Sequence, residues 1–329
     1  MSDDKPGELD LIRQIRTLAG RSGDGIVRLG IGDDCALLRP RPGEELAVTT
    51  DLSIAGRHFR LDWHSPASVG HRALARGLSD LAAMGARPIA AFLSLGLPRE
   101  LTTQSGRRPA WVDEFLGGLL SLADAYKLPL AGGDLSESPV AMADIVLIGG
   151  VPRGRALLRS TARPGHLLYV TGSLGGSSAA LAKLALLQPH RITKKRAAQL
   201  APHLYPQPRI AQGAWLVRHG KSSAAIDLSD GLSTDLTHLC QESHVAAEVD
   251  AGLFPIHPDA NLAQALNGGE DYELLFAAPA ETTLPKSIAG VPVTRIGRIL
   301  APRRNRPTVT LLMPQGSQPL EPQGWQHFF

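Results

Sequence analysis

A mixed α/β fold built as two domains is the architecture this sequence predicts. Three features predict it: apolar strand-like runs alternate with helical patterns along the chain, 329 residues exceed what one ordinary core needs, and a basic stretch without periodicity interrupts the alternation near the middle.

The elements follow in order. Leu9, Ile12, Ile15 and Leu18 recur at helical spacing within residues 8–19, and Gly23, Asp24 and Gly25 break the pattern. Leu46, Val48 and Thr50 alternate as in a strand that ends at Asp51, and residues 67–84 read as a helix stopped by Gly85 and Pro88. Val112, Phe115, Leu116, Leu119 and Ala123 share one face of a helix over 112–126, followed by LPLAGGD and an apolar strand over 145–151. The segment 151–165 (VPRGRALLRSTARPG) suits a crossing between domains, which places them at 1–150 and 151–329. Beyond it LLYVTG, a helix over 177–187, AAIDL, a helix over 232–242, VAAEVD, YELLFAA and PVTRIGRI alternate strand with helix again.

Bulk properties exclude several classes of protein. The chain is 43% hydrophobic and 20% charged, as expected of a globular protein, and no part reads as low-complexity. Net charge is only +3, and the basic run His190–Arg196 has no interleaved aromatics on which bases could stack, so nucleic acid is not an expected partner. Cys35 and Cys240 match no disulfide or metal spacing, which fits a reducing compartment. The acidic N-terminus lacks signal-peptide character, and no run of about 18 apolar residues occurs. A soluble, cytoplasmic protein with no membrane partner is expected.

Chemistry is concentrated in aspartates at the ends of apolar runs, each beside glycine, serine or threonine: GIGDD (30–34), TTD (49–51), GGD (132–134) and DLSDG (227–231), with Asp80 on a helix. Strand ends are where α/β proteins place ligands, and small neighbours let a phosphate or metal approach the backbone. Singly, each has an ordinary reading: a turn for Asp33 and Asp34, a cap for Asp51, Asp134 and Asp230, a solvated face for Asp80. If several converge, each carboxylate pair at about 4 Å repels by roughly 4 kcal/mol at an effective dielectric near 20, a cost that calls for cations. Oxygen-only ligands favour a hard cation, and magnesium is the usual choice beside phosphates. No GxxxxGK[ST] loop or protein-kinase signature is present, so a phosphoryl transferase of this sequence would hold its nucleotide by another device.

GIGDDCA, TTD followed by AGRHF, LSDLAAMGA, GGD, RALLRS, IDLSDGLS and GGEDYEL occur in that order, and by them the chain resembles the thiamine-monophosphate kinases. The likeness runs from about residue 7 to the GWQHF near the end. It implies an α+β pair of related domains of the aminoimidazole ribonucleotide synthetase-like fold, with an N-terminal domain for ATP, magnesium and dimerisation and a C-terminal domain that completes the active site. A homodimer formed through strands of the N-terminal half is implied as well. Asp34, Thr49, Thr50, Asp51, Asp80, Asp134, Asp227 and Asp230 fall on the family's ligands for several magnesium ions. Gly133, Asp134, Arg159 and Ser229 fall on ATP positions, and His58, Glu270 and Trp325 on substrate positions. The reaction implied is transfer of the terminal phosphate of ATP to thiamine monophosphate, without a covalent intermediate or a catalytic side chain.

The chain departs from the family pattern at Gly77, Leu135, Thr161 and His166, where asparagine, threonine, glycine and aspartate are usual. The closest alternative enzyme is another ATP-using member of the superfamily, such as selenophosphate synthetase or an amidine-forming purine enzyme; the former would be expected to carry a reactive cysteine in a glycine-rich N-terminal segment, and no cysteine precedes Cys35. The related hydrogenase-maturation proteins would be expected to end in one, whereas this sequence ends in HFF. A non-enzymatic thiamine-phosphate binding protein is the alternative of another class.

Overall fold

The structure, a computed structural model, describes residues 8–19, 25–103, 109–187, 194–302, 304 and 308–325. Gly23, Asp24, residues 190–193 of the basic run and the last four residues lie outside them. The chain divides into two compact units, one of Met1–Leu81 and Pro88–Pro152, the other of Ala82–Arg87 and Arg153–Phe329. Both mix helices with sheet, as the sequence predicts.

The first unit contains α1 (Glu8–Ala19), β1 (Val27–Leu29), β2 (Leu37–Leu38), β3 (Glu44–Ile54), α2 (Pro66–Ala83), β4 (Arg87–Leu97), α3 (Trp111–Ala125), β5 (Leu130–Glu137) and β6 (Met142–Pro152). Four strands form a sheet in the order β3-β6-β4-β5, and β1 and β2 form a small ribbon carrying GIGDD between them. β3 pairs antiparallel with β6 over all eleven residues, from Glu44↔Pro152 to Ile54↔Met142. Alternation within that pairing sends Ala47, Thr49, Asp51 and Ser53 to the same face as the buried Leu147 and Ile145, while Leu46, Val48, Thr50 and Leu52 face the other way and are exposed.

α2 covers the inner face, burying Leu74, Leu78 and Leu81 completely. At Gly77 the helix approaches the sheet closely: a Cβ there would stand 2.9 Å from Leu147 Cδ1. α2 also crosses α3 through glycines, because a Cβ on Gly70 would overlap the Phe115 carbonyl and one on Gly118 the Ala67 carbonyl.

The second unit contains β7 (Leu167–Thr171), α4 (Gly176–Ala185), α5 (Lys194–Leu204), α6 (Ile210–His219), β8 (Ala224–Asp227), α7 (Leu232–Glu242), β9 (Ala246–Asp250), α8 (Leu262–Asn267), β10 (Leu274–Ala278), β11 (Ser287–Ile288), β12 (Val291–Leu300), β13 (Val309–Met313) and β14 (Gly316–Pro319). Its sheet runs β14-β13-β9-β12-β7-β10-β8, with β11 on β12. Leu168, Val170, Leu232, Leu236, Leu239, Leu275 and Ile296 anchor its core. β10 is apolar and buried along its whole length because strands flank it on both sides.

The two neighbouring glycines of α3 separate packing from propensity. Gly118→Ala is expected to lower unfolding free energy by about 1–3 kcal/mol by forcing the helices apart. Gly117 is exposed with nothing near its missing Cβ, so Gly117→Ala is expected to raise it by about 0.5–1 kcal/mol. Urea unfolding of both variants checks the pair.

Candidate active site

In the first unit the site is built on β3 and α2. Thr49 Oγ1 donates a short hydrogen bond to Asp80 Oδ2, and Asp51 Oδ1 lies 3.4 Å from Arg76 Nη2. Arg76 and Asp80 are four residues apart on α2, so one helical face presents both to the strand. Thr50 faces away from Thr49 and Asp51, so only its backbone could share a ligand with their side chains. His58 lies just beyond the strand, where its Nδ1 accepts the Ile54 N–H at 3.0 Å, which puts the neutral ring's proton on Nε2. The buried Arg72 donates to the His58 carbonyl at 3.2 Å and fixes the turn.

Asp34 and Asp134 lie elsewhere in this unit and line one cavity of about 920 Å³ together with Gly132, Gly133 and apolar residues of α1 and β4. Gly133 has φ +153° and a Cβ there would overlap the Leu93 carbonyl, so the GGD strand passes its neighbour more closely than any side chain permits. Leu135 and Cys35 line the same cavity.

In the second unit, Asp227 ends β8, buried and paired with Leu274, and Ser229 and Asp230 follow. Three backbone bonds lace this turn to the GGEDYEL segment: Leu228 N–H to the Glu273 carbonyl, Tyr272 N–H to the Leu228 carbonyl and Glu270 N–H to the Ser229 carbonyl. Trp325 N–H donates to the Asp230 carbonyl at 3.1 Å, leaving its side chain 47% exposed. Ser229, Asp230, Glu270 and Trp325, scattered over nearly one hundred positions of sequence, thus share one locality. Arg159 begins a short 3-10 turn whose carbonyl accepts from Ser243 Oγ at 2.6 Å. The departures at Thr161 and His166 tie the same region down, since Thr161 Oγ1 donates to the Ser223 carbonyl and His166 Nδ1 lies 2.8 Å from Ser223 Oγ.

Several residues that motif reasoning passed over support this locality. Asp235, not Asp230, secures the start of α7: its Oδ2 accepts the N–H groups of Asp230 and Gly231 at 3.1 and 3.0 Å. Burial first, then the charges of Asp227 and Asp230, push its carboxyl up to about 8. Asp271 accepts from Gly175 and Ser177 N–H at 2.6 and 3.1 Å. Glu273 takes a bidentate bridge from Arg209 at 2.6 and 2.5 Å and a hydroxyl from Thr171 at 2.7 Å. Glu270 stands with φ +65°, its Oε2 3.3 Å from the buried His203 Nδ1. The signal in the sequence is the density of acids in GGEDYEL.

Whether these oxygens suit magnesium is decided by their grouping. Among the described residues no three His, Cys, Asp or Glu side chains are close enough to hold a metal by themselves. Smaller groupings are present: Thr49 with Asp80 beside Asp51, and Asp227 and Asp230, each close enough to Asp235 to raise its carboxyl. Magnesium takes one or two carboxylates and fills its sphere with water and phosphate oxygens, so such groupings fit it and a closed protein cage is not required.

Comparison with known proteins gives the class first. The family model for AIR synthase related protein, N-terminal domain, matches residues 32–154, and that for the C-terminal domain matches 163–310. Thiamine-monophosphate kinase of Escherichia coli K12 is 42% identical over 287 residues, covering 84% of this chain and 85% of the relative. The structure of thiamine-monophosphate kinase from Stenotrophomonas maltophilia K279a superposes with a TM-score of 0.79 at 36% identity, covering 93% of this chain and 96% of that one. AaThiL complexed with AMPPCP and TMP gives 0.75 at 32% identity, covering 100% and 99%. The chain belongs to the thiamine-monophosphate kinase family.

Asp271 offers a test of the second unit by pH. Burial pushes its carboxyl up to about 7 against its backbone donors, so the folded protein keeps a proton that the unfolded chain has released from about pH 4 upward. Its contribution to stability is full below about pH 4 and falls, by at most about 1.4 kcal/mol per unit, until the folded group ionises near 7. Asp271→Asn is expected to remove that slope whatever constant offset it adds, as read from unfolding free energies at pH 4–8.

Proposed function

We propose that this chain transfers the terminal phosphate of ATP directly to the phosphate of thiamine monophosphate, with several magnesium ions, to give thiamine diphosphate. The observation that carries the reading is likeness over 84% of the chain to a curated thiamine-monophosphate kinase, in a sequence that keeps every motif aspartate. The family neighbour complexed with AMPPCP and TMP supports a site for a nucleotide and a second phosphate compound.

Asp34, Thr49, Asp51, Asp80 and Asp134 would hold magnesium in the first unit, with the backbone of Thr50, and Asp227 and Asp230 in the second. When bound, magnesium offsets the repulsion between two anionic reactants and stabilises charge on the transferring group. The chain's own residues place the reactants. Gly133 lets phosphate approach the backbone, Ser229 and Arg159 offer a hydroxyl and a guanidinium to the nucleotide, and His58 and Glu270 orient the acceptor. The open indole of Trp325 offers a flat face to a cationic ring. No general base is assigned, because a phosphate monoester with a second pKa near 6 is already largely ionised at neutral pH.

A homodimer belongs to the same reading. Leu46, Val48 and Leu52 stand 48%, 61% and 44% exposed in a row along β3, an apolar stripe suited to a second copy. A cytoplasmic location fits the reaction, and none of the described helices is long and apolar enough to cross a membrane.

Incubating the purified protein with ATP, magnesium and thiamine monophosphate, with thiamine as control acceptor, is expected to yield ADP and thiamine diphosphate from the monophosphate alone. Absence of ADP release would sink the reading. Asp51→Asn and Asp80→Asn are expected to stay folded and lose about 100-fold or more in kcat, the scale of removing electrostatic support from a transition state. Trp325→Ala is expected chiefly to raise KM for thiamine monophosphate.

A further inference from the structure

Asp51 is not an open carboxylate awaiting an ion. Arg76 Nη2 lies 3.4 Å from its Oδ1, and only 17% of the Arg76 side chain and 19% of the Asp51 side chain meet solvent. Two further contacts of the Arg76 fork are equally long: Nη1 is 3.3 Å from Ser53 Oγ and 3.4 Å from the Leu52 carbonyl. Each of these sits at the far edge of hydrogen-bond range. The guanidinium charge lies against the Asp51 carboxylate and offsets it. Covering both groups makes the neutralisation matter, because an uncompensated carboxylate removed from water is costly.

We propose that Arg76 is the built-in counter-ion of Asp51, occupying it in the cation-free protein and competing with a divalent ion for the same oxygen. A cation entering beside Asp51 must push aside a positive charge, so its affinity for the ligand-free protein is the difference between two ionic interactions. The inference rests on the proposed role of Asp51 as a cation ligand and adds to it an opponent.

Manganese(II) binding to the nucleotide-free protein, followed by the loss of its free-ion resonance, tests this without any turnover. Arg76→Met keeps an apolar stem and removes the charge. It is expected to bind manganese about tenfold more tightly, the factor supplied by about 1.4 kcal/mol of relieved competition. Without divalent ions it is expected to melt below the parent, and manganese is expected to raise its Tm by more than the parent's. Arg76→Lys keeps a charge without the fork and should stay close to the parent. In Asp51→Asn/Arg76→Met the gain should vanish, which ties it to this pair. Unchanged or weaker manganese binding in Arg76→Met, while Asp51→Asn alone weakens it, overturns the counter-ion and leaves the kinase reading standing. If Asp51→Asn has no effect on manganese either, the ligand assignment falls and the counter-ion with it.

Discussion

The antiparallel pairing of β3 with β6 is the constraint on which the first unit depends. Side chains alternate with a period of two, so the register that sets Thr49 opposite Leu147 and Asp51 opposite Ile145 also decides which polar groups face α2 and which face outward. A slip of one residue would bury Leu46, Val48 and Leu52 and turn Thr49 and Asp51 to the outer surface. Apolar burial on β3 alone would favour that slip, so the register is held by the eleven-residue ladder with β6 and by the contacts of Thr49 and Asp51 with α2. Gly77 belongs to the same arrangement, since its lack of a side chain lets α2 approach closely enough for Arg76 and Asp80 to meet that face.

The second unit relies on ionic and hydrogen-bonded anchors around an irregular segment. The segment 268–273 makes no strand of its own, and two of its residues, Glu270 and Tyr272, take left-handed backbone conformations at φ +65° and +51°. Such strain persists only where the surroundings over-determine it. Here Asp271 is held by the N–H groups at the start of α4, Glu273 by Arg209 and Thr171, and Glu270 by His203 and the Ser229 carbonyl. Consecutive acids point to different partners, and the outcome is a fixed carboxylate at Glu270 beside Ser229 and Trp325.

Much of this was legible because periodicity and position are local signals. The helix over 232–242 matches α7 at both ends, and the mixed fold follows from alternating patterns that packing does not override. The aspartates were legible as strand-end residues for the same reason. Their partners were not, because a partner is a tertiary fact: nothing in HRALARGLSD marks Arg76 as lying beside Asp51, twenty-five positions earlier. α5 begins in a basic run and carries a proline inside it, and α5 and α6 both passed unread although His203 lies in the first and Arg209 caps the second. Asp235 was hidden by a plausible assignment of Asp230 as the helix cap, a competition between two acids that only coordinates resolve.

What unites the two units is how each keeps negative charge tolerable in the absence of a ligand. Asp51 leans on Arg76, Asp80 accepts from a threonine, Asp235 is driven toward its protonated form, and Glu273 is clasped by an arginine. Carboxylates packed into a dry cage would have to stay ionised together, which the interior does not permit without a permanent metal. Met by individual counter-groups, they leave the folded chain electrically supportable by itself.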